Sequence, residues 1–220
     1  MPTGSINRLI WAALLVLLAV LALQTRDNLD VFFDSVGKLE VRKDPDDQTV
    51  YLRWRGKIDA PMESRISDAF DVQKAGARRF VLVLSSPGGS LDHGAKVIRL
   101  LRRIEETHSV ETVVEAGRTC ASMCVPVYLQ GQRRTAAATA KFMFHEVSFR
   151  DYLAKQDSDV PDQAKVSETD RFFRDYFAPA GVPDAWIQKV RAEMAGHNDV
   201  WKTGRELIDE NAGIVQQVKD

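Results

Sequence analysis

Ser122 lies among small residues in Thr119-Cys120-Ala121-Ser122-Met123-Cys124, and a later apolar stretch, Lys141-Phe142-Met143-Phe144, ends in His145. A serine hydroxyl is a poor nucleophile at neutral pH, so it needs a nearby base, and imidazole is the side chain whose pKa suits that task. Ser122 and His145 are therefore the candidate nucleophile and general base of an acyl-transfer reaction. The tetrahedral intermediate of such a reaction carries a negative oxygen, and losing one preorganised donor to it costs about 3 kcal/mol of barrier. Upstream, Ser86-Pro87-Gly88-Gly89-Ser90 is a turn able to present backbone N–H groups. Gly88 and Met123 are the candidate donors, with Gly89 beside them, because a residue without Cβ reaches positive φ and lets another backbone approach.

Taken singly, each of these residues has an ordinary explanation. A serine is commonly a helix cap, a histidine at the end of an apolar strand is commonly a satisfied core group, and Pro-Gly-Gly is commonly only a turn. Their occurrence together in this order sets them apart. Ser85, Ser86 and His93 around the glycine turn read as structural caps, and His108 and His197 as exposed polar residues. Cys120 and Cys124 with a histidine would make an incomplete zinc site, since no second cysteine pair exists. Neither a metal nor an organic cofactor is expected, and no phosphate-binding G-x-x-x-x-G-K-[ST] loop occurs.

The elements that must position these residues follow from periodicity. Residues 50–55 read as a strand, 62–75 as a helix and 80–84 as a strand buried on both faces. Val97, Leu100, Leu101 and Ile104 fall at i, i+3, i+4 and i+7, which predicts a helix with one buried stripe. A strand at 111–115, the Ser122 elbow, a helix through about Tyr128 and the strand ending at His145 follow. This alternation is the pattern of parallel β-α-β units with right-handed crossovers, and it puts Gly88, Ser122 and His145 at strand ends or helix starts. Arg102-Arg103 and Arg133-Arg134 read as solvated faces or loop edges. Residues 149–166 are polar, and Phe172, Phe173, Tyr176 and Phe177 then form an aromatic helical stripe facing the core. Gly181-Val182-Pro183 ends that helix, and Asp184 caps the next, which carries Trp186, Ile187 and Val190.

Several of these segments resemble the proteolytic subunit of the Clp protease and its Clp-crotonase relatives. Val81 through Ser90 is similar to that family's strand and oxyanion turn, Ala121-Ser122-Met123 to its nucleophile motif, and Lys141 through His145 to its histidine strand. Gly131 falls in the loop between the last two, and the resemblance covers about residues 50–147. It implies an α/β fold of repeated β-α-β units with a mostly parallel sheet. It also implies Ser122 as nucleophile, His145 as base and the amides of Gly88 and Met123 as oxyanion hole. The family's acid precedes a segment similar to Asp199-Val200-Trp201-Lys202-Thr203-Gly204-Arg205-Glu206. An ungapped match puts Ala195 there, so Asp199 is the first candidate and Asn198 the second. A peptide or unfolded-protein substrate is implied, as is a homo-oligomer joined by a helical handle after the histidine.

Cys120 and Cys124 occupy the positions that hold glycine in the G-x-S-x-G elbow of other hydrolases, where small side chains are required. This feature resembles exported Clp-like proteins with a C-A-S-x-C signature. In an oxidising compartment the two thiols pair and fix the elbow, and in a reducing one they are small buried hydrophobes. Two other functions fit the same residues. One is a non-catalytic scaffold or binding module, favoured by the unplaced acid. The other is an acyl-CoA enzyme of the crotonase branch, which would use the oxyanion turn for a thioester enolate and would require CoA-ester binding.

Residues 9–23 form an uninterrupted apolar run after Arg8, with no charge until Arg26. The run has the length of a signal-peptide core and falls short of the roughly 20 residues that cross a bilayer comfortably. Residues 1–25 are accordingly expected to be a signal peptide or a membrane anchor, and the remainder to be exported, periplasmic or held at the inner membrane facing the periplasm. Residues 26–48 read as a linker and edge segment, and 49–220 as one domain, since that length supports one well-buried core. With 30 basic and 31 acidic residues there is no basic field for nucleic acid.

Overall fold

The computed structural model describes residues 37–44, 48–147, 162–196 and 198–219. The apolar run at 9–23 and His197 lie outside the described residues, and no helix among the described residues is long and apolar enough to cross a membrane.

The chain from Gly37 onward begins with strand β1 (Lys38–Asp44), which pairs antiparallel along β2 (Thr49–Arg55). Helix α1 (Ala60–Gln73) follows, with Pro61 in its first turn, where a missing N–H costs nothing. Strand β3 (Arg79–Ser85) has five consecutive buried residues, Phe80 to Leu84, as a strand covered on both faces requires. Helix α2 (Leu91–Glu105) is capped by Ser90, whose hydroxyl accepts the His93 N–H. Its stripe of Val97, Leu100, Leu101 and Ile104 is buried as its spacing predicts. Strand β4 (Ser109–Val114), the short strand β5 (Thr119–Ala121), helix α3 (Cys124–Tyr128), β6 (Arg133–Ala137) and β7 (Lys141–Phe144) complete the first half.

The second half holds helix α4 (Asp162–Phe172), a π-helical turn at Phe173–Phe177 and helix α5 (Asp184–Met194). Strand β8 (Val200–Thr203), helix α6 (Gly204–Asp209) and β9 (Gln217–Lys219) follow. The main sheet has the order β1-β2-β3-β4-β6-β9, parallel from β2 to β9. A second sheet, β5-β7-β8, pairs β5 parallel and β8 antiparallel to β7. The two sheets meet at Ser86, whose N–H donates to Thr119 O at 2.8 Å and whose carbonyl accepts from Ala121 N–H at 3.0 Å.

Two expectations change. Arg134 is no loop edge: it lies in β6, buried, and its guanidinium donates to the carbonyls of Ile214 and Gly213 at 2.9 Å and of Ala180 at 3.3 Å. Burial lowers its pKa from the ordinary value. The Arg-Arg pair splits because successive strand residues face opposite sides, so Arg133 stays exposed. Asp184 is not a cap: Pro183 holds that position and Asp184 is the first helical residue, where its charge favours the helix dipole.

Candidate active site

Ser122 follows β5 directly and precedes α3, on a strand-to-helix elbow. Its φ is 53°, the left-handed region, and it is one of three non-glycine residues with positive φ among those described. Two hydrogen bonds pin it there: its N–H donates to Met143 O at 2.9 Å, and Val125 N–H donates to Ser122 O at 2.9 Å. Residues in this region cost about 1–3 kcal/mol and persist where their surroundings dictate them. Cys120 and Cys124 on either side of the elbow are joined as a disulfide, with Cα atoms 5.2 Å apart.

His145 follows β7 directly. Met143 and Phe144 hold it from one side, and on the other the Val147 N–H donates to Thr169 Oγ1 of α4 at 2.9 Å. Ser122, His145 and Gly89 line one open cleft with room of about 60 Å³, together with Leu91, Met143, Phe144, Val147, Phe172, Phe173 and Phe177. One wall is thus the π-helical turn, whose Phe173 and Phe177 rings stack at 4.4 Å between centroids. Such turns within helices are frequent at functional sites. Phe144 packs edge-on against Trp186 at 5.3 Å, fixing the strand that delivers His145. The cleft joins a polar group of three to an apolar wall, the usual make-up of a small-molecule or side-chain pocket.

The glycine turn departs from expectation in one respect. The Gly88 N–H donates to Ser86 Oγ at 3.1 Å, so that amide has a partner inside the turn. Among the described residues the amides of Gly89 and Met123 have no protein acceptor. Ser86 is thus more than the cap its sequence context suggests. Ser-Pro-Gly is also the signal for a hydroxyl that bonds the N–H two residues on. Gly88 itself has φ 96°, and any Cβ there would collide with Ser122.

Asp199 precedes Val200, the residue paired with Phe144, so His145 and Asp199 are the next residues in the β7–β8 register. The pairing stops one step short. Asp199 is exposed and does not line the cleft, and Asn198 directs its side-chain N–H to Ala195 O at 2.8 Å. Among the described residues neither the Ser122 hydroxyl nor the His145 ring has a hydrogen-bond partner. His108 is structural: its ring packs on Phe70 and Phe80 and reaches Thr107 Oγ1 at 2.7 Å. Among the described residues no cluster of ligating side chains could hold a metal ion.

No protein-family model matches the sequence. No curated protein matches it either. Among solved structures, the chain is similar to a point mutant of ClpP1 from Listeria monocytogenes, with a TM-score of 0.59 and 17% identity over 80% of this chain and 92% of that one. The chain has a ClpP-like fold, a mixed α/β architecture with a largely parallel main sheet.

Proposed function

We propose that this protein is a Clp-like serine peptidase that cleaves peptide bonds of short or unfolded chains through an acyl-enzyme on Ser122. The observation that carries this reading is the elbow. A non-glycine residue at φ 53° between a strand and a helix shares a cleft with His145 and the unpaired Gly89 amide, and the unpaired Met123 amide adjoins it in the chain. In this reading His145 takes the Ser122 proton as the hydroxyl attacks the carbonyl carbon, then returns it to the leaving amine. The Met123 and Gly89 amides receive the oxyanion, and Gly88, with its N–H on Ser86, shapes the turn. The apolar wall formed by Phe172, Phe173 and Phe177 takes a substrate side chain. Asp199, exposed and one register step beyond the last β7–β8 pair, contributes at most a small part of the orientation of the imidazole. Catalytic hydrogen bonds commonly tighten only on substrate binding, so the open Ser122–His145 geometry is compatible with this chemistry.

Export belongs to the same reading, supported by the apolar run at 9–23 and by a disulfide, which persists in oxidising compartments. The site then faces the periplasm, either free or anchored to the inner membrane. A homo-oligomer is part of the proposal on the strength of the Clp resemblance. The test is labelling of the full chain with a fluorophosphonate, comparing wild type with Ser122→Ala and His145→Ala. Labelling that is lost in both variants is the expected result.

A second reading, a non-catalytic scaffold of the same fold, is favoured by the absence of side-chain hydrogen bonds on Ser122, His145 and Asp199 among the described residues. A folded wild-type protein that takes up no fluorophosphonate would decide for it.

A further inference from the structure

The acyl-transfer step uses neither cysteine as a reacting group, yet they bracket Ser122 at equal distance and both are fully buried. Cys120 is the central residue of β5, paired with Phe142 on one side and bridged to Ser86 on the other. Cys124 is the first residue of α3. The ring that their bond closes contains Ala121, Ser122 and Met123, which is the elbow itself. Glycine enters the left-handed region freely, but the residue at φ 53° here is a serine, and the next residue carries an amide with no acceptor among the described residues. So short a ring removes little entropy from the unfolded chain compared with a long loop, which makes global stabilisation a poor account of it.

We propose that the Cys120–Cys124 disulfide is the positioning device of the nucleophile. Closed, it holds Ser122 in the left-handed conformation and the Met123 amide beside it. Reduced, it lets the elbow relax, so the oxidation state of the bridge sets the competence of the site. The activity part of this proposal rests on the peptidase reading, and the conformational part stands without it.

Opening requires a dithiol reductant. Its thiolate attacks one sulfur, the S–S bond breaks, and the other cysteine leaves as a thiolate that takes up a proton. The second thiol of the reductant then resolves the mixed disulfide. The second cysteine is released as a thiol, and the reductant becomes a cyclic disulfide after passing two electrons to the bridge. Because both cysteines are buried, the reductant gains access only when the elbow opens locally.

The experiment compares the oxidised full chain, the same protein in dithiothreitol, and the variant Cys120→Ala/Cys124→Ala, which cannot close the bridge. Amide hydrogen exchange is followed at Ser122 and Val125, whose N–H groups bond Met143 O and Ser122 O. Exchange there should quicken by about tenfold or more without the bridge, while β3 and α2 keep their protection. The fluorophosphonate rate at Ser122 should fall by about tenfold, with the half-saturating reagent concentration unchanged. Unchanged exchange in the alanine variant would overturn the proposal whatever the labelling does. Exchange that rises throughout the domain would also overturn it, since the bridge would then be a general staple. Faster elbow exchange with equal labelling rates would remove the positioning role. Faster elbow exchange with no labelling in any form would leave the latch standing and sink the peptidase reading instead.

Discussion

A Cβ added to Gly88 would stand 2.6 Å from the Cβ of Ser122, so the glycine turn and the elbow meet backbone to side chain with nothing between them. The same Cβ would lie 2.8 Å from Ala121 O, and the φ of Gly88 is 96°. Gly88→Ala therefore meets both a backbone it cannot adopt and a neighbour it displaces. We expect a loss of about 1–3 kcal/mol in stability by chemical denaturation. Fluorophosphonate labelling should fall by about a hundredfold, since a displacement near 1 Å is enough for that. Labelling at the wild-type rate would mean that the turn has no part in the site.

Asp199 tests how far the third member of a triad matters here. Where such an acid is buried and bonded to the imidazole, replacing it with asparagine lowers the rate by about 10⁴. Asp199 is exposed, one register step beyond the last β7–β8 pair. Asp199→Asn should therefore slow labelling of Ser122 by no more than about tenfold. A loss near the larger figure would show that the strands zip one step further in solution.

Glu210 joins α5, β8 and α6. Its carboxylate accepts from Trp186 Nε1 at 2.8 Å and pairs with Lys202 at 2.9 Å and Lys189 at 3.0 Å. Burial alone would raise its pKa, but the hydrogen bonds from Lys202, Trp186 and Lys189 outweigh it and hold the group at about 2, against an ordinary 4.5. A depressed carboxyl pKa stabilises the fold above the unfolded value and loses that stabilisation as pH falls through the folded one. The stability difference between wild type and Glu210→Gln should thus be full at neutral pH and shrink between pH 4.5 and about 2. Urea titrations across that range are the check, and a constant difference would contradict the assignment.

Arg134→Met removes a fork that serves three carbonyls at once. Hydrogen bonds from a charged donor contribute about 1.5–3 kcal/mol each, and carbonyls left unsatisfied add to the loss, so we expect about 3 kcal/mol or more. Arg134→Lys should recover only part of it, because an ammonium lacks the planar fork. Denaturant midpoints of the three proteins decide this.

The parts of the molecule that announce themselves in sequence do so through local pattern. The apolar run of β3, the stripe of α2 and the small residues around Ser122 need no distant partner to be read. What escapes depends on distance along the chain. Strand β6 is Arg-Arg-Thr-Ala-Ala, without apolar alternation, and it is a strand because β4 and β9 flank it. The burial of Arg134 is invisible because its acceptors lie 46 to 80 residues later. At the site the residues are legible but the hydrogen bonding within the glycine turn is not. The partner of the Gly88 amide is a serine hydroxyl two residues away, a choice made by the turn geometry. The π-helical wall is legible as an aromatic stripe and not as a turn, and its contact with Phe144 joins residues 33 positions apart in the chain.

Strand β9 has one more consequence, for the order in which the molecule is built. It pairs with β6 through Thr135 and Gln217, so every residue of the elbow and of the histidine strand is synthesised long before the sheet acquires its last strand. Until then β6 presents a row of unpaired N–H and C=O groups, an open edge that templates association with another chain. The residues of the site thus precede in the chain the strand that covers this edge. Refolding yield should accordingly fall with protein concentration even when the site itself forms quickly.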